Sequence, residues 1–313
     1  MRRTIRVPGV FPLEGGGTLR DVNVEVRTWG RFRTEATLIC HALTGSADAD
    51  DWWRDLFGRD RIFDASDSFI VSMNVLGSCY GTTGPSSHTE PGSFPGITIR
   101  DMVHLQKSVL DQLGVEYLDL VIGGSMGGMQ VLEWAVLYPE KVGTIVPIGV
   151  GSSQSAWAIG LSEAQRGAIR TAKTPADGLA TARMIAMCSY RSPASFQTRF
   201  GRESEDGSFA AQSYLRYQGD KLVDRFDADT YLTLLDAMDS HDLGRGRGPR
   251  EAILNRIKTR ALVVGISTDV LYPVAEVRTM TASMPNARFA VLDSPNGHDS
   301  FLIDTHKLGR MIK

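Results

Sequence analysis

Six short runs of β-branched and other apolar residues recur along the chain, with helix-length segments between many of them. They are "TLIC" (37–40), "SFIVSMNV" (68–75), "LDLVIG" (118–123), "GTIVPIGV" (143–150), "ALVVGIS" (261–267) and "RFAVLDS" (288–294). Runs that are apolar throughout, rather than alternating, suit strands buried on both faces. Separated by segments such as "TIRDMVHLQKSVLDQLG", they predict the α/β class, a mostly parallel sheet flanked by helices. Near the start, "VNVEVRTWG" alternates with a period of two, which predicts antiparallel strands at one sheet edge.

From about Gly151 to Lys258 the strand signals stop and the pattern turns helical, most clearly in "GLATARMIAMCSY" and "DADTYLTLLDAMDSHDL". The expected organisation is a core built from residues 1–150 and 259–313, with residues 151–258 inserted as a helical cap or lid. The polar stretch "GRESEDGS" (201–208) predicts a mobile loop, and "GRGRGP" (244–249), a single copy with no interleaved aromatics, predicts a turn rather than an RNA-binding segment.

With 42% hydrophobic and 22% charged residues, the 313-residue chain can bury a sizeable core. A net charge of -2 offers no general attraction to nucleic acid or to an anionic membrane surface, leaving small molecules as the expected partners. Cys40, Cys79 and Cys188 are odd in number and form no CxxC pair, so neither a disulfide framework nor a metal site is expected, and a reducing cytoplasm fits. "MRRTIRVPGVF" has no apolar region behind its arginines, so no signal peptide is expected. The most apolar long stretch is interrupted by Asp119 and Glu133, which argues against a membrane span.

One stretch carries chemistry. In "VIGGSMGGMQ" (121–130), a strand ending near Gly123 and a helix starting near Met126 leave Ser125 on the turn between them. Gly123 to Gly127 match G-x-S-x-G, the nucleophile elbow, whose strained turn tolerates only small neighbours and leaves the hydroxyl in the open. The same turn aims the Met126 N–H toward an oxygen attached to Ser125. A serine hydroxyl is a weak nucleophile at neutral pH, so it needs a histidine base and a carboxylate to orient that base. Asp269 follows "ALVVGIS" and His298 follows "RFAVLDS", giving the order Ser, Asp, His. Asp293 is the rival carboxylate. For a second oxyanion donor, "CHALTG" (40–45) nominates the Leu43 N–H, with His41 as a buried support of that loop.

The chain resembles the homoserine O-acetyltransferase family of α/β-hydrolase-fold acyltransferases. The resemblance rests on "HALTGS", "NVLGSCYGTTGPSS" (74–87), "GGSMGGMQVLEWA" (123–135), "YLRYQGDKLVDRFDADTYLTLLDAMDSHDLGRGRG" (214–248), "TDVLYP" and "GHDSFL". It implies an α/β-hydrolase fold and a two-step transfer through acetyl-Ser125. Acetyl-CoA serves as cosubstrate, no cofactor is tightly bound, and the reaction lies on the route to methionine. It also implies that Arg183 and Tyr190, seven residues apart, hold L-homoserine together with Asp299, and that the protein is a homodimer. Without the resemblance Arg183 reads as a solvated helix charge, and Arg191, Arg199 and Arg202 are the other arginines open to a carboxylate. Gly124, before the nucleophile, suggests an uncharged acyl pocket. Residues 169–178 are shorter than the aromatic- and histidine-rich piece often present in the family. The competing readings are serine O-acyltransferase, homoserine O-succinyltransferase and a plain serine esterase.

Overall fold

The computed structural model describes residues 1–87, 92–205 and 207–313. Its main sheet contains β1 (Arg2–Pro12), β2 (Thr18–Trp29), β3 (Glu35–Cys40), β4 (Ile70–Met73), β5 (Tyr117–Gly124) and β6 (Val142–Ile148). After a small hairpin, β7 (Ser204–Glu205) and β8 (Ser208–Phe209), it is completed by β9 (Arg260–Ile266) and β10 (Ala287–Leu292). The order is β1-β2-β4-β3-β5-β6-β9-β10. β1 pairs antiparallel with β2, and β2 with β4; the strands from β4 to β10 in that order are mutually parallel. The alternating segment near the start is thus an antiparallel edge, and all six apolar runs are parallel strands.

The parallel strands are apolar throughout because both faces are covered. Leu38, Val71, Val121 and Val263 enter one core cluster, while their neighbours Ile39, Ile70, Ile122 and Val264 enter the other, all at most 1% exposed. Each such side chain contributes about 1.5–3 kcal/mol by leaving water.

The helices in the first half are α1 (Ala49–Trp52), α2 (Ile99–Leu113) and α3 (Met126–Leu137). α2 begins with a reciprocal cap: Asp101 N–H donates to Thr98 Oγ1 at 3.2 Å, and Thr98 N–H to Asp101 Oδ2 at 2.8 Å. It ends at Gly114, where the left-handed conformation suits glycine.

No described strand joins the main sheet between β6 and β9. The chain there runs through α4 (Ala156–Thr171), α5 (Pro175–Tyr190), α6 (Pro193–Phe200), the β7–β8 hairpin, α7 (Ala210–Val223), α8 (Ala228–Asp239) and α9 (Arg250–Arg256). α10 (Val274–Ala282), α11 (Ser300–Ile303) and α12 (Thr305–Ile312) complete the fold. The short connection at 169–178 brings α4 and α5 together so closely that a Cβ on Gly178 would lie 2.6 Å from Ile169 Cα.

Within the polar stretch at 201–208, of which residue 206 lies outside the described residues, a short hairpin forms. Ser204 pairs with Phe209 and Glu205 with Ser208, with Gly207 at φ 78 helping the chain reverse. Residues 244–249 do form a turn, and its arginines are occupied within the protein: Arg245 meets Glu14 at 2.9 Å and Arg247 meets buried Glu133 at 2.8 Å.

Candidate active site

Cys40, at the end of β3, pairs with Gly123 near the end of β5, so the segments leaving these strands emerge side by side. The segments after β9 and β10 leave the same edge, the carboxyl end of a parallel sheet, where α/β folds gather their chemistry.

Ser125 stands between β5 and α3 at φ 57 and ψ -125, a conformation costly for a residue with a Cβ. The glycines around it answer to close contacts. A Cβ on Gly123 would lie 2.6 Å from the Cys40 carbonyl oxygen, and one on Gly127 would overlap the same oxygen. Small neighbours free the hydroxyl locally, but the rest of the fold covers it: Ser125 is only 6% exposed, where the motif alone suggested an open hydroxyl.

Asp269 and His298 are joined by a 2.6 Å hydrogen bond, with His298 Nδ1–H donating to Asp269 Oδ2. The other carboxylate oxygen accepts the backbone N–H groups of Leu271 at 2.8 Å and Tyr272 at 2.9 Å, which fixes the carboxylate plane. The tautomer therefore leaves Nε2 as the acceptor. Nε2 makes no hydrogen bond to Ser125 Oγ or to any other described atom. Ser125 is nevertheless close in the fold: its N–H donates to the Ile148 carbonyl at 2.9 Å, and a Cβ on the next residue, Gly149, would lie 3.4 Å from both Asp269 Oδ2 and His298 Cε1. Burial opposes a charge on His298, but the charge of Asp269, its hydrogen bond and the nearby Asp299 carboxylate outweigh it and raise the pKa. Asp293 is engaged elsewhere, accepting the Ser267 hydroxyl at 3.0 Å.

The Leu43 segment is a tight turn, Gly45 N–H donating to the Ala42 carbonyl at 2.9 Å. His41 Nδ1–H donates to that carbonyl as well, at 2.8 Å, while His41 Nε2 accepts the Val75 N–H at 3.1 Å. Burial lowers the His41 pKa to about 4, so it supports the loop as a neutral ring. Because the Ala42 carbonyl is held from one side, the Leu43 N–H of the same trans peptide points the opposite way. It finds no acceptor among the described residues. The Met126 N–H lies at the first residue of α3, where helix N–H groups lack an intrahelical acceptor.

Buried amides behind the elbow escaped the sequence reading. Gln130 donates to the carbonyls of His41 at 3.3 Å and Met126 at 3.1 Å, and its own oxygen accepts Gln106 at 2.7 Å. Trp134 donates to the Gln106 oxygen at 2.8 Å. The glutamine just after the glycine-rich turn was the available signal.

α5 delivers Tyr190 against the histidine. The rings of Tyr190 and His298 are 5.9 Å apart, and the Arg183 guanidinium lies 5.4 Å over the Tyr190 ring. Gly297 permits this approach: at φ 70, its Cβ would sit 2.6 Å from Ser192 N. Burial raises the Asp299 pKa despite the opposing charges of Arg183, His298 and Arg191. Arg183 has no carboxylate within 4 Å among the described residues. Arg191 instead bonds Ser195 Oγ at 3.1 Å and Asn296 Oδ1 at 3.5 Å, while Arg199 stacks over Tyr214 at 4.9 Å and Arg202 over Phe209 at 5.5 Å.

The space beside Gly124 is filled by an aromatic ring. A Cβ there would lie 2.6 Å from the Phe301 ring, which itself packs edge-on to His298 at 5.6 Å. Among the described residues no group of three or more His, Cys, Asp or Glu side chains is arranged to hold a metal ion, and no helix is long and apolar enough to cross a membrane.

This fold is that of the α/β hydrolases, and the family model for the alpha/beta hydrolase fold matches residues 36–305. Within that class the chain belongs to the homoserine O-acetyltransferase family, a family of acyltransferases. It is 51% identical to the homoserine O-acetyltransferase of Chlorobaculum tepidum over 96% of this chain and 90% of that protein. The structure of a homoserine O-acetyltransferase from Staphylococcus aureus superposes with a TM-score of 0.87 at 28% identity, over 99% of this chain and 93% of that one. Esterase E22 shares the fold at a TM-score of 0.89 and 24% identity, over 100% of both chains.

Proposed function

We propose that the chain is an L-homoserine O-acetyltransferase that moves an acetyl group from acetyl-CoA to the homoserine hydroxyl through an acetyl-Ser125 intermediate. His298 Nε2 takes the proton of Ser125 Oγ as that oxygen attacks the thioester carbonyl. Asp269 holds the imidazole and stabilises its charged form. The Leu43 and Met126 N–H groups receive the oxyanion of the tetrahedral intermediate. The C–S bond then breaks, the proton on His298 passes to the departing thiol, and acetyl-Ser125 remains. In the second half His298 takes the homoserine hydroxyl proton, the new alkoxide attacks the acetyl carbonyl, and collapse returns the proton to Ser125.

The observation that carries this reading is the approach of α5 to the histidine, with Tyr190 5.9 Å from His298 and Arg183 over Tyr190. A plain esterase needs no cation there, whereas an amino-acid acceptor brings a carboxylate that an arginine can hold with paired hydrogen bonds. Asp299 is the proposed partner of the acceptor's ammonium, and its raised pKa marks a carboxylate whose charge a bound cation would favour. Residues 151–258 serve as the lid that excludes competing water. The protein is proposed to work as a cytoplasmic homodimer, with a mass near twice 34.2 kDa by light scattering.

Thiol release with acetyl-CoA and homoserine, with product mass, tests the proposal, using succinyl-CoA and L-serine as parallel arms. Homoserine-dependent release yielding O-acetylhomoserine supports it. Release without an acylated amino acid indicates an esterase, and turnover confined to succinyl-CoA or serine indicates another acyltransferase.

A further inference from the structure

The turn carrying Leu43 has a second hydrogen-bonded carbonyl, that of Thr44, and it is held from a distant part of the chain. Arg225, between α7 and α8, donates from Nη1 to Thr44 O at 2.7 Å and to the Tyr80 hydroxyl at 2.6 Å. Phe226 anchors this arginine: it is 6% exposed, and its ring packs edge-on against Tyr80 at 5.8 Å. The segment around Tyr80 also grips the loop beyond the turn, since Asn74 accepts the Ala47 N–H at 2.6 Å and donates to the Tyr80 carbonyl at 2.5 Å. Arg225 has no carboxylate within 4 Å among the described residues, so the contacts it makes are to neutral oxygens.

An exposed arginine bonded to a carbonyl competes with water and so adds only modestly to stability, yet it fixes the direction of the group it holds. With Ala42 O clamped by His41 and Gly45, the bond to the Thr44 carbonyl is a further hold on the turn, and it comes from across the fold. We propose that Arg225 is a positioning residue for the oxyanion-binding turn, keeping the Leu43 N–H aimed at the substrate oxygen and tying that aim to the α7–α8 connection. The inference rests on the proposed role of the Leu43 N–H. Removing one oxyanion donor outright costs about 100- to 1,000-fold in rate, so loosening a turn that two other bonds still hold should cost about tenfold.

The test compares Arg225→Ala, Arg225→Lys and Tyr80→Phe with the unaltered protein. Acylation of Ser125 by p-nitrophenyl acetate is followed by stopped flow and intact mass, and acetyl transfer from acetyl-CoA to homoserine by steady-state kinetics. Because both half-reactions pass through an oxyanion, Arg225→Ala should slow acylation and deacylation alike by about tenfold. The KM values and the melting temperature should hardly move. Arg225→Lys, which keeps a donor, should recover part of the rate, and Tyr80→Phe, which spares the Thr44 contact, should stay near the unaltered rate. A merely structural arginine would lower the melting temperature and leave the kcat of the folded fraction intact, which overturns the proposal. So does a loss confined to KM, or a lysine variant no faster than the alanine one. The nitrophenyl ester reads the oxyanion site whatever the natural donor and acceptor are, so a protein that fails to acetylate homoserine but is acylated by the ester refutes the functional reading and leaves this test standing.

Discussion

Asp269 and His298 are locked together by a 2.6 Å hydrogen bond whose carboxylate is itself held by two backbone N–H groups. This pairing fixes the tautomer that leaves Nε2 free to accept a proton. Asp269→Asn can satisfy the same geometry with the wrong tautomer, and the expected result is a fall in kcat of about 10,000-fold with the fold intact. Steady-state thiol release together with circular dichroism checks it.

The raised His298 pKa sets the pH dependence. The base must be neutral, so kcat/KM for acylation should rise with pH through a midpoint above the ordinary histidine value of 6.5. For stability the sign is opposite: a raised folded pKa favours the charged form, so the contribution is complete below 6.5 and disappears as pH rises through the folded value. A pH–rate profile reads the first effect directly.

His241 is buried with its pKa lowered to about 4, chiefly by loss of water around it. The unfolded chain binds a proton there between pH 6.5 and about 4 while the folded chain does not, so this group destabilises the protein as pH falls through that window. His241→Gln should reduce the drop in melting temperature across it, measured by calorimetry at a series of pH values.

A Cβ on Gly124 would run into the Phe301 ring, and that ring packs against His298. Gly124→Ala would push a methyl group into that ring, at a cost of about 1–3 kcal/mol from overpacking. The expected outcome is a lower midpoint in urea and a slower acylation step, because the ring that must yield supports the base.

Arg183→Ala removes the proposed partner of the acceptor carboxylate. The KM for homoserine should rise by about 10- to 100-fold, the range expected for a charge-assisted bond, while acylation by acetyl-CoA stays near its original rate. Separate single-turnover measurements of the two half-reactions distinguish these effects.

The sheet was legible because buried parallel strands must be apolar on both faces, so the six runs stand out as blocks; each pairs in the main sheet. Ser125 was legible for a related reason, since the contacts of Gly123 and Gly127 with Cys40 leave no room for other residues. The order of Asp269 and His298 followed from the class of fold, and the structure joins those two residues as expected. Arg225, Gln130 and Gln106 were not legible. Their importance lies in contacts across the fold, such as the bond from Arg225 to Thr44, 181 residues away, and no local periodicity records such a meeting. That Gly124 leaves room for the Phe301 ring was not legible either, because the direction of its missing side chain depends on the backbone turn. The hairpin at β7–β8 was missed because its strands are only two residues long each, too short for alternation to register.

The central claim is that Ser125 carries an acetyl group that homoserine collects. Mixing the protein with acetyl-CoA alone, trapping by acid and mapping peptides by mass should find one acetyl group on Ser125. A chase with L-homoserine should then discharge it far faster than buffer does, with O-acetylhomoserine formed in equal amount. An acetyl group that leaves Ser125 at the same rate with or without homoserine, or no acetyl group on Ser125 while the transfer still proceeds, would contradict the account.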